Sequence, residues 1–179
     1  EICESCNINF IGPTPETMRA MGDKVTARET MRKSGVPLTP GAKGIVKDAQ
    51  HALEVVKEIK YPIIIKATAG GGGKGMRLVT EPEELVSATE AAVREAIKAF
   101  GNGLVYLERY LTNPRHIEFQ VFGDSHGNYV HLGERECSIQ RRHQKIIEET
   151  PSTAVTPKIR QAMGKAAVSA TEAVQYCGA

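Results

Sequence analysis

The residues that could do chemistry fall in a few short stretches, the first being KATAGGGGKGM, residues 66–76, where Gly70, Gly71, Gly72 and Gly73 run unbroken between Lys66 and Lys74. Glycine is costly to order, so an uninterrupted run suggests backbone that must come close to something. Bare N–H groups with flanking cations suit phosphate. Gly70, Gly72 and Gly75 also satisfy G-x-G-x-x-G, but that dinucleotide fingerprint needs a helix directly behind the glycines, and MRLV reads as a strand. A Walker A loop fails as well, because Lys74 precedes Gly75 and Thr68 stands where the first glycine belongs. What remains is a glycine-rich hairpin between two strands, a device like the flexible loop that kinases lay over phosphates, with Lys66 as the fixed charge. Taken alone, the loop leaves open a solvent-exposed turn with two solvated lysines.

A second dense cluster is GERECSIQRRHQK, residues 133–145. If residues 129–142 form a strand, Glu134, Glu136, Ser138 and Gln140 share one face, and Arg135, Cys137 and Ile139 share the other. Gln140 and His143 then sit near the strand end, with Lys145 just beyond. Arg141, Arg142, His143 and Lys145 could suggest nucleic acid, but four glutamates flank them and no aromatics interleave for base stacking. A salt-bridged strand end is the plainer reading. In YLERYLTNPRHIEFQ, Glu108 and Leu111 stand at a connection where a cleft between domains would bind a ligand, and His116 is either a ligand contact or a surface histidine. Cys3 and Cys6 form C-x-x-C, without the second pair or spaced histidines that zinc would need.

Period and punctuation supply the elements that must carry these residues. A strand is expected at Phe10–Ile11, then helices at Pro15–Met21 and Lys24–Ser34. The linker VPLTPGAKG places a domain boundary near residue 38. Beyond it come a strand at Gly44–Val46, a helix capped by Asp48, strands at Pro62–Thr68 and Met76–Val79, and a helix with the inward stripe Leu85, Ala88, Ala92, Ala96 and Phe100. Thr80 and Glu83 have capping-box spacing for that helix, and Gly101 ends it. A strand at Val105–Tyr110 follows. HIEFQVFGD, SHGN and YVHLGERECSIQRR read as a hairpin of long strands, followed by a Glu-rich loop. Thr156 and Pro157 then open a helix with Ile159, Met163, Ala166, Ala170 and Val174 on one side.

Composition bounds the rest. The chain has 179 residues, 41% hydrophobic and 25% charged, with a formal charge of +2. That is enough for one or two modest cores, with no electrostatic case for nucleic acid or an anionic membrane as main partner. No run approaches a membrane span, and no signal-peptide pattern is present. A cytoplasmic or organelle-matrix setting is expected. The opening EICESC and the closing QYCGA read as cut from something larger.

Together the strings FIGPTPETMRAMGDK, IIIKATAGGGGKGMR, VYLERYLTNPRHIEFQV and GERECSIQRRHQKIIEETPS resemble one family. They are similar to the biotin carboxylase component of biotin-dependent carboxylases, most of all the acetyl-CoA carboxylase type of bacteria and plastids. They are long, stand in the family's order and cover essentially the whole chain. The resemblance implies an α/β (α+β) ATP-grasp fold: residues 1–37 as the end of the N-terminal domain with connecting helices, 38–110 as a small lid with the Gly-rich hairpin, and 111–179 as the first part of a mixed-sheet core.

It also implies an ATP-dependent ligase that phosphorylates bicarbonate to carboxyphosphate and carboxylates biotin on a carrier protein. By position, Lys24 and Lys66 would contact ATP phosphates, and Gly70, Gly71, Gly72, Gly73, Lys74 and Gly75 would close over them. Met76 would lie near the nucleotide, with Glu108, Arg109, Tyr110 and Leu111 presenting backbone to adenine. His116, Gln140 and His143 would line the nucleotide site, and Lys145 would be the catalytic residue that binds bicarbonate or carboxyphosphate. The implied cofactors and partners are ATP, Mg2+ or Mn2+, biotin carboxyl carrier protein, a carboxyltransferase and a homodimer mate. Lys74 and Arg109 stand where relatives often carry the other basic residue, which keeps charge but not fork geometry. The family's metal-binding acids and catalytic arginine are expected beyond residue 179, so no metal ligand is expected in this segment and the segment alone is expected to be inactive. The same domain in a pyruvate, propionyl-CoA or methylcrotonyl-CoA carboxylase, a carbamoyl phosphate synthetase type subunit, and a non-catalytic nucleotide-binding module stay open.

Overall fold

Four of the helices start on a side-chain cap. The computed structural model describes residues 1–69, 75–142 and 144–179, and opens with helices α1 (Ile2–Ser5), α2 (Pro15–Gly22) and α3 (Lys24–Lys33). Thr14 caps α2 by accepting the Thr17 N–H, with Pro15 at the first helical position, and Asp23 caps α3 by accepting the Thr26 N–H. Phe10–Ile11, expected as a strand, is irregular instead, with Ile11 96% exposed. A two-residue extended run needs a partner for its backbone, and none pairs with it among the described residues.

The described residues divide into two compact units, one of Leu38–Pro114 and one of Glu1–Pro37 with Arg115–Ala179. In the Leu38–Pro114 unit, the expected strand at Gly44–Val46 reduces to a single bridge from Val46 to Val105, with another from Gly41 to Glu108. Helix α4 (Ala49–Ile59) is capped by Asp48 and buries Ala52, Val56 and Ile59. Strands β1 (Ile63–Ala67) and β2 (Met76–Val79), helix α5 (Leu85–Phe100) and strand β3 (Val105–Arg109) complete the unit. The sheet order is β2-β1-β3, antiparallel throughout. Ile63, Ile65, Leu85 and Leu107 are 0% exposed, each contributing about 1.5–3 kcal/mol of burial. The α5 stripe is the expected one, and Gly101 ends the helix at φ +69. The capping box does not form: a 3-10 turn at Pro82–Glu84 precedes the helix, and it is Glu84, not Glu83, that reaches back to the Thr80 N–H, at 3.4 Å.

In the other unit, β4 (Ile117–Gly123), β5 (Tyr129–Arg141) and β6 (Gln144–Glu149) make a second antiparallel sheet in the order β4-β5-β6. The third strand stands where a Glu-rich loop is expected. Its six residues are all exposed, so no apolar alternation marks it, and only its pairing with β5 makes it a strand. Helix α6 (Pro157–Ala173), capped by Thr156, buries Gly164 and Thr171 and leaves Ile159 43% exposed. The buried stripe is thus rotated from the expected one, because Gly164 lets the helix approach until an added Cβ would lie 2.4 Å from His131 Nε2. No helix among the described residues is long and apolar enough to cross a membrane.

The C-terminal segment is pinned to β4 by paired bonds between Gly123 and Gly178, at 3.0 and 2.9 Å. A Cβ on Gly123 would meet the Tyr176 carbonyl oxygen at 2.1 Å. Gly123→Ala is therefore expected to destabilise this unit by about 1–3 kcal/mol, read as a lower Tm together with loss of hydrogen-exchange protection at the Gly178 amide.

Candidate functional site

Strand alternation sorts the first sheet into two faces. Ile63, Ile65 and Ala67 of β1 enter the core, which turns Ile64 and Lys66 to the other face. Across the ladder Lys66 lies opposite Met76 and Tyr106, and Ile64 lies opposite Leu78 and Glu108. On this face Lys66 Nζ donates to Glu108 Oε2 at 2.5 Å, with side chains 27% and 10% exposed. Two partly buried ends hold the ammonium in place, so it is a positioned charge rather than a solvated one. Met76 and Leu78 are exposed beside it, giving an apolar rim to a cationic spot.

Strands β1 and β2 are consecutive and antiparallel, so the glycine-rich connection leads from strand to strand and not into a helix. Its base is closed by Ala67 N–H donating to the Gly75 carbonyl at 2.9 Å. Gly75 has φ +70, and an added Cβ would press on Ala67 and Phe100, at 3.0 and 3.3 Å; glycine is required there. Gly70, Gly71, Gly72, Gly73, Lys74 and His143, all expected site residues, lie outside the described residues. The Arg109 guanidinium turns back to the Ile59 carbonyl at 3.2 Å, at the C-terminal end of α4. The N–H groups of Arg109 and Tyr110 donate to the Pro40 and Pro62 carbonyls, at 2.7 and 2.9 Å. Leu111 is exposed beyond them.

The other unit gathers a different set. Lys24 is the first residue of α3. Glu118 stands on β4 directly opposite Arg135 of β5, and Gln140 of β5 is opposite Lys145 of β6. Arg135 donates to Glu118 from Nη2 at 2.5 Å and from Nε at 3.0 Å, and Lys145 Nζ donates to the other oxygen of the same carboxylate. Glu148 stands 3.4 Å from Arg135 and 3.9 Å from Lys145. Lys145 and then Arg135 hold the Glu118 carboxyl at about 2, well below its ordinary 4.5, and Glu118 in turn raises the Lys145 ammonium. Lys145 is thereby kept charged and aimed. His116 Nδ1 lies 2.7 Å from Gln140 Nε2. The His116 Nε2 lies 3.8 Å from Glu118, and the β5–β6 register shifts around Ile139.

Sequence reasoning missed Glu118, because its role rests on the β4–β5 register. Opposite charges directly across a ladder are the signal that would find it. Glu134 and Glu136, 4% and 3% exposed, are also more deeply buried than a salt-bridged strand end would be. Arg160 grips Glu134 in a two-pronged contact at 2.6–3.0 Å and holds its carboxyl at about 2.

Among the described residues, the grouping with metal-ligand atoms close together is Glu118, Cys137 and Glu148. It does not suit Mg2+, which wants hard oxygen donors in octahedral array. Both carboxylates are already bound by cations, and burial pushes the Cys137 thiol up.

The family described as "Carbamoyl-phosphate synthase L chain, ATP binding domain" matches residues 23–179. Biotin carboxylase 1, chloroplastic, of Populus trichocarpa is 58% identical over 178 residues, covering 99% of this chain and 34% of the relative. Among solved structures, a biotin carboxylase complex with β,γ-ATP from Campylobacter jejuni matches with TM-score 0.91 and 50% identity, over 99% of this chain and 40% of that one. The biotin carboxylase domain of the Hydrogenobacter thermophilus 2-oxoglutarate carboxylase, with MgADP, ADP and bicarbonate, matches with TM-score 0.88 and 50% identity, over 98% and 39%. The chain thus spans between a third and two fifths of the length of these three relatives.

Pairing of Glu118 contributes stability in full above pH 4.5 and loses it as pH falls toward 2, since protonation removes the charge that Lys145 and Arg135 hold. Glu118→Gln is expected to cost about 1.5–3 kcal/mol at neutral pH. Denaturant unfolding at several pH values should show the difference from wild type constant from pH 7 to about pH 5, then shrinking between 4.5 and 2.

Proposed function

Because the chain belongs to the family of the carbamoyl-phosphate synthase L chain ATP-binding domain, we propose that it works in an ATP-dependent ligase that carboxylates biotin on a carrier protein with bicarbonate. Its fold is the ATP-grasp fold expected from the sequence. The observation that carries the reading is the glycine-rich connection between antiparallel β1 and β2 with Lys66 fixed beside it by Glu108. A flexible turn alone would need neither four glycines nor a partly buried cation.

In this reading Lys66 and Lys24 neutralise the phosphates of ATP, and the backbone of Gly70 to Gly75, with Lys74, covers them. Met76 and the segment Glu108 to Leu111 receive the base, with His116, Gln140 and His143 beside the nucleotide. A bicarbonate oxygen attacks the γ-phosphorus and ADP leaves, giving carboxyphosphate. This breaks down to CO2 and phosphate, and the ureido nitrogen of biotin passes its proton to that phosphate and captures CO2. The chain needs no nucleophile of its own for this chemistry, only position and charge. Lys145, held by Glu118, pairs with bicarbonate or carboxyphosphate. Mg2+ accompanies ATP, its ligands being sought outside the described residues. Residues 38–110 act as the lid and 111–179 as the first part of the core. The carboxyl group passes to acetyl-CoA on a separate carboxyltransferase, in bacterial cytoplasm or a plastid, and the whole enzyme is a homodimer. The acetyl-CoA assignment rests on the resemblance of the four long strings.

MgATP titration of Lys66→Ala is expected to show about tenfold or greater loss of affinity, and unchanged binding would reject the phosphate role. In the enzyme that carries this chain, Lys145→Met should leave ATP affinity within about twofold while biotin-dependent fixation of labelled bicarbonate falls about 10²-fold or more. If ATP binds but wild type fixes no bicarbonate, the nucleotide-binding module replaces the ligase reading.

A further inference from the structure

We infer that Glu136 and Ser138, neither of them expected to meet a ligand, are positioning residues that set His116 and Gln140 for the nucleotide; the inference rests on the reading of this site as an ATP site. Glu136 is 3% exposed. Its carboxylate receives Ser152 Oγ, Arg115 Nη1 at 2.5 Å and Ser138 Oγ at 3.1 Å. A serine hydroxyl has one proton, so Ser138, having donated to Glu136, can only accept elsewhere. What it accepts is the His116 N–H, at 3.0 Å. The His116 carbonyl in turn accepts the Cys137 N–H at 2.8 Å. Both main-chain polar groups of His116 are thus clamped to β5 just before β4 begins.

The ring follows from the backbone. Gln140 Nε2 lies 2.7 Å from the Cys137 carbonyl oxygen and 2.7 Å from His116 Nδ1. A carbonyl accepts only, so the amide presents its NH2 edge here, and the second hydrogen of that group points at Nδ1. Nδ1 is therefore an acceptor. This fixes a neutral imidazole with its proton on Nε2, on the side of Glu118. Gln140 Oε1 is left with no donor among the described residues, and the cross-strand neighbour of Gln140 is Lys145. The buried carboxylate thus sets a hydroxyl, the hydroxyl sets a histidine, and the histidine sets an amide whose oxygen is offered to a ligand N–H or O–H beside the ammonium. Glu136 and Ser138 touch no ligand in this chain of contacts.

The test uses Ser138→Ala, with Ser138→Thr as the variant that keeps the hydroxyl, each checked for Tm. Long-range 1H–15N spectra of the imidazoles, with the His116 signals assigned by their loss in His116→Asn, should show the Nε2–H tautomer in wild type and Ser138→Thr and a tautomer mixture in Ser138→Ala. In the enzyme carrying this chain, KM for ATP should rise roughly three- to tenfold in Ser138→Ala and return in Ser138→Thr, with kcat changed less than twofold. An unchanged His116 spectrum, an unchanged KM, or a fall in Tm without either change overturns the inference. Wild type that binds no ATP overturns the functional reading instead, and the imidazole spectra decide the positioning without any activity.

Discussion

A single carboxylate on β4 reaches all three strands of the second sheet. Glu118 takes Arg135 from β5 and Lys145 from β6, and β6 brings no buried side chain of its own to hold it. Exposed ion pairs stabilise little, but this carboxylate is less than a quarter exposed and accepts three charge-assisted bonds. Geometry this constrained gives each partner a fixed direction. The lysine that the proposed chemistry needs as a cation is kept protonated by the same contact that ties β6 into the sheet, so site and fold share one interaction.

The Leu38–Pro114 unit solves a different problem, that of keeping a cation ready on a sheet face beside a glycine-rich connection. Apolar burial does the structural work there, with fully buried isoleucines on one face of β1 and α5 packed against them. The opposite face is thereby released for Lys66, Glu108, Met76 and Leu78. Period-2 alternation thus lets one packing decision fix what the opposite face presents. Arg109, by contrast, spends its side chain on the end of α4, so any part it plays toward a nucleotide belongs to its backbone.

Buried acids define the far side of the second sheet. Glu134 and Glu136 would be costly there unless paired and hydrogen-bonded, and Arg160, Arg115, Ser152 and Ser138 supply those partners. A carboxylate in such a place resists displacement, because every shift leaves a buried charge without a donor. Rigid support of this kind is what a site that relies on positioning requires.

Local sequence was enough for the helix caps at Asp48 and Thr156, the left-handed stop at Gly101, the strands on either side of the glycines, and the strings that place the chain in its family. These are local facts, set by a side chain within three or four residues of the backbone it serves, or by short-range period. Tertiary structure alone decided that Phe10–Ile11 finds no partner, that Glu84 rather than Glu83 turns back to Thr80, that β6 is a strand, and that α6 packs through Gly164. It also decided which charges meet: Glu118 with Lys145, Glu134 with Arg160, Gln140 with His116. The first depends on strand register and the second on how α6 packs against β5. Register is a property of two segments at once, so no single stretch of sequence carries it.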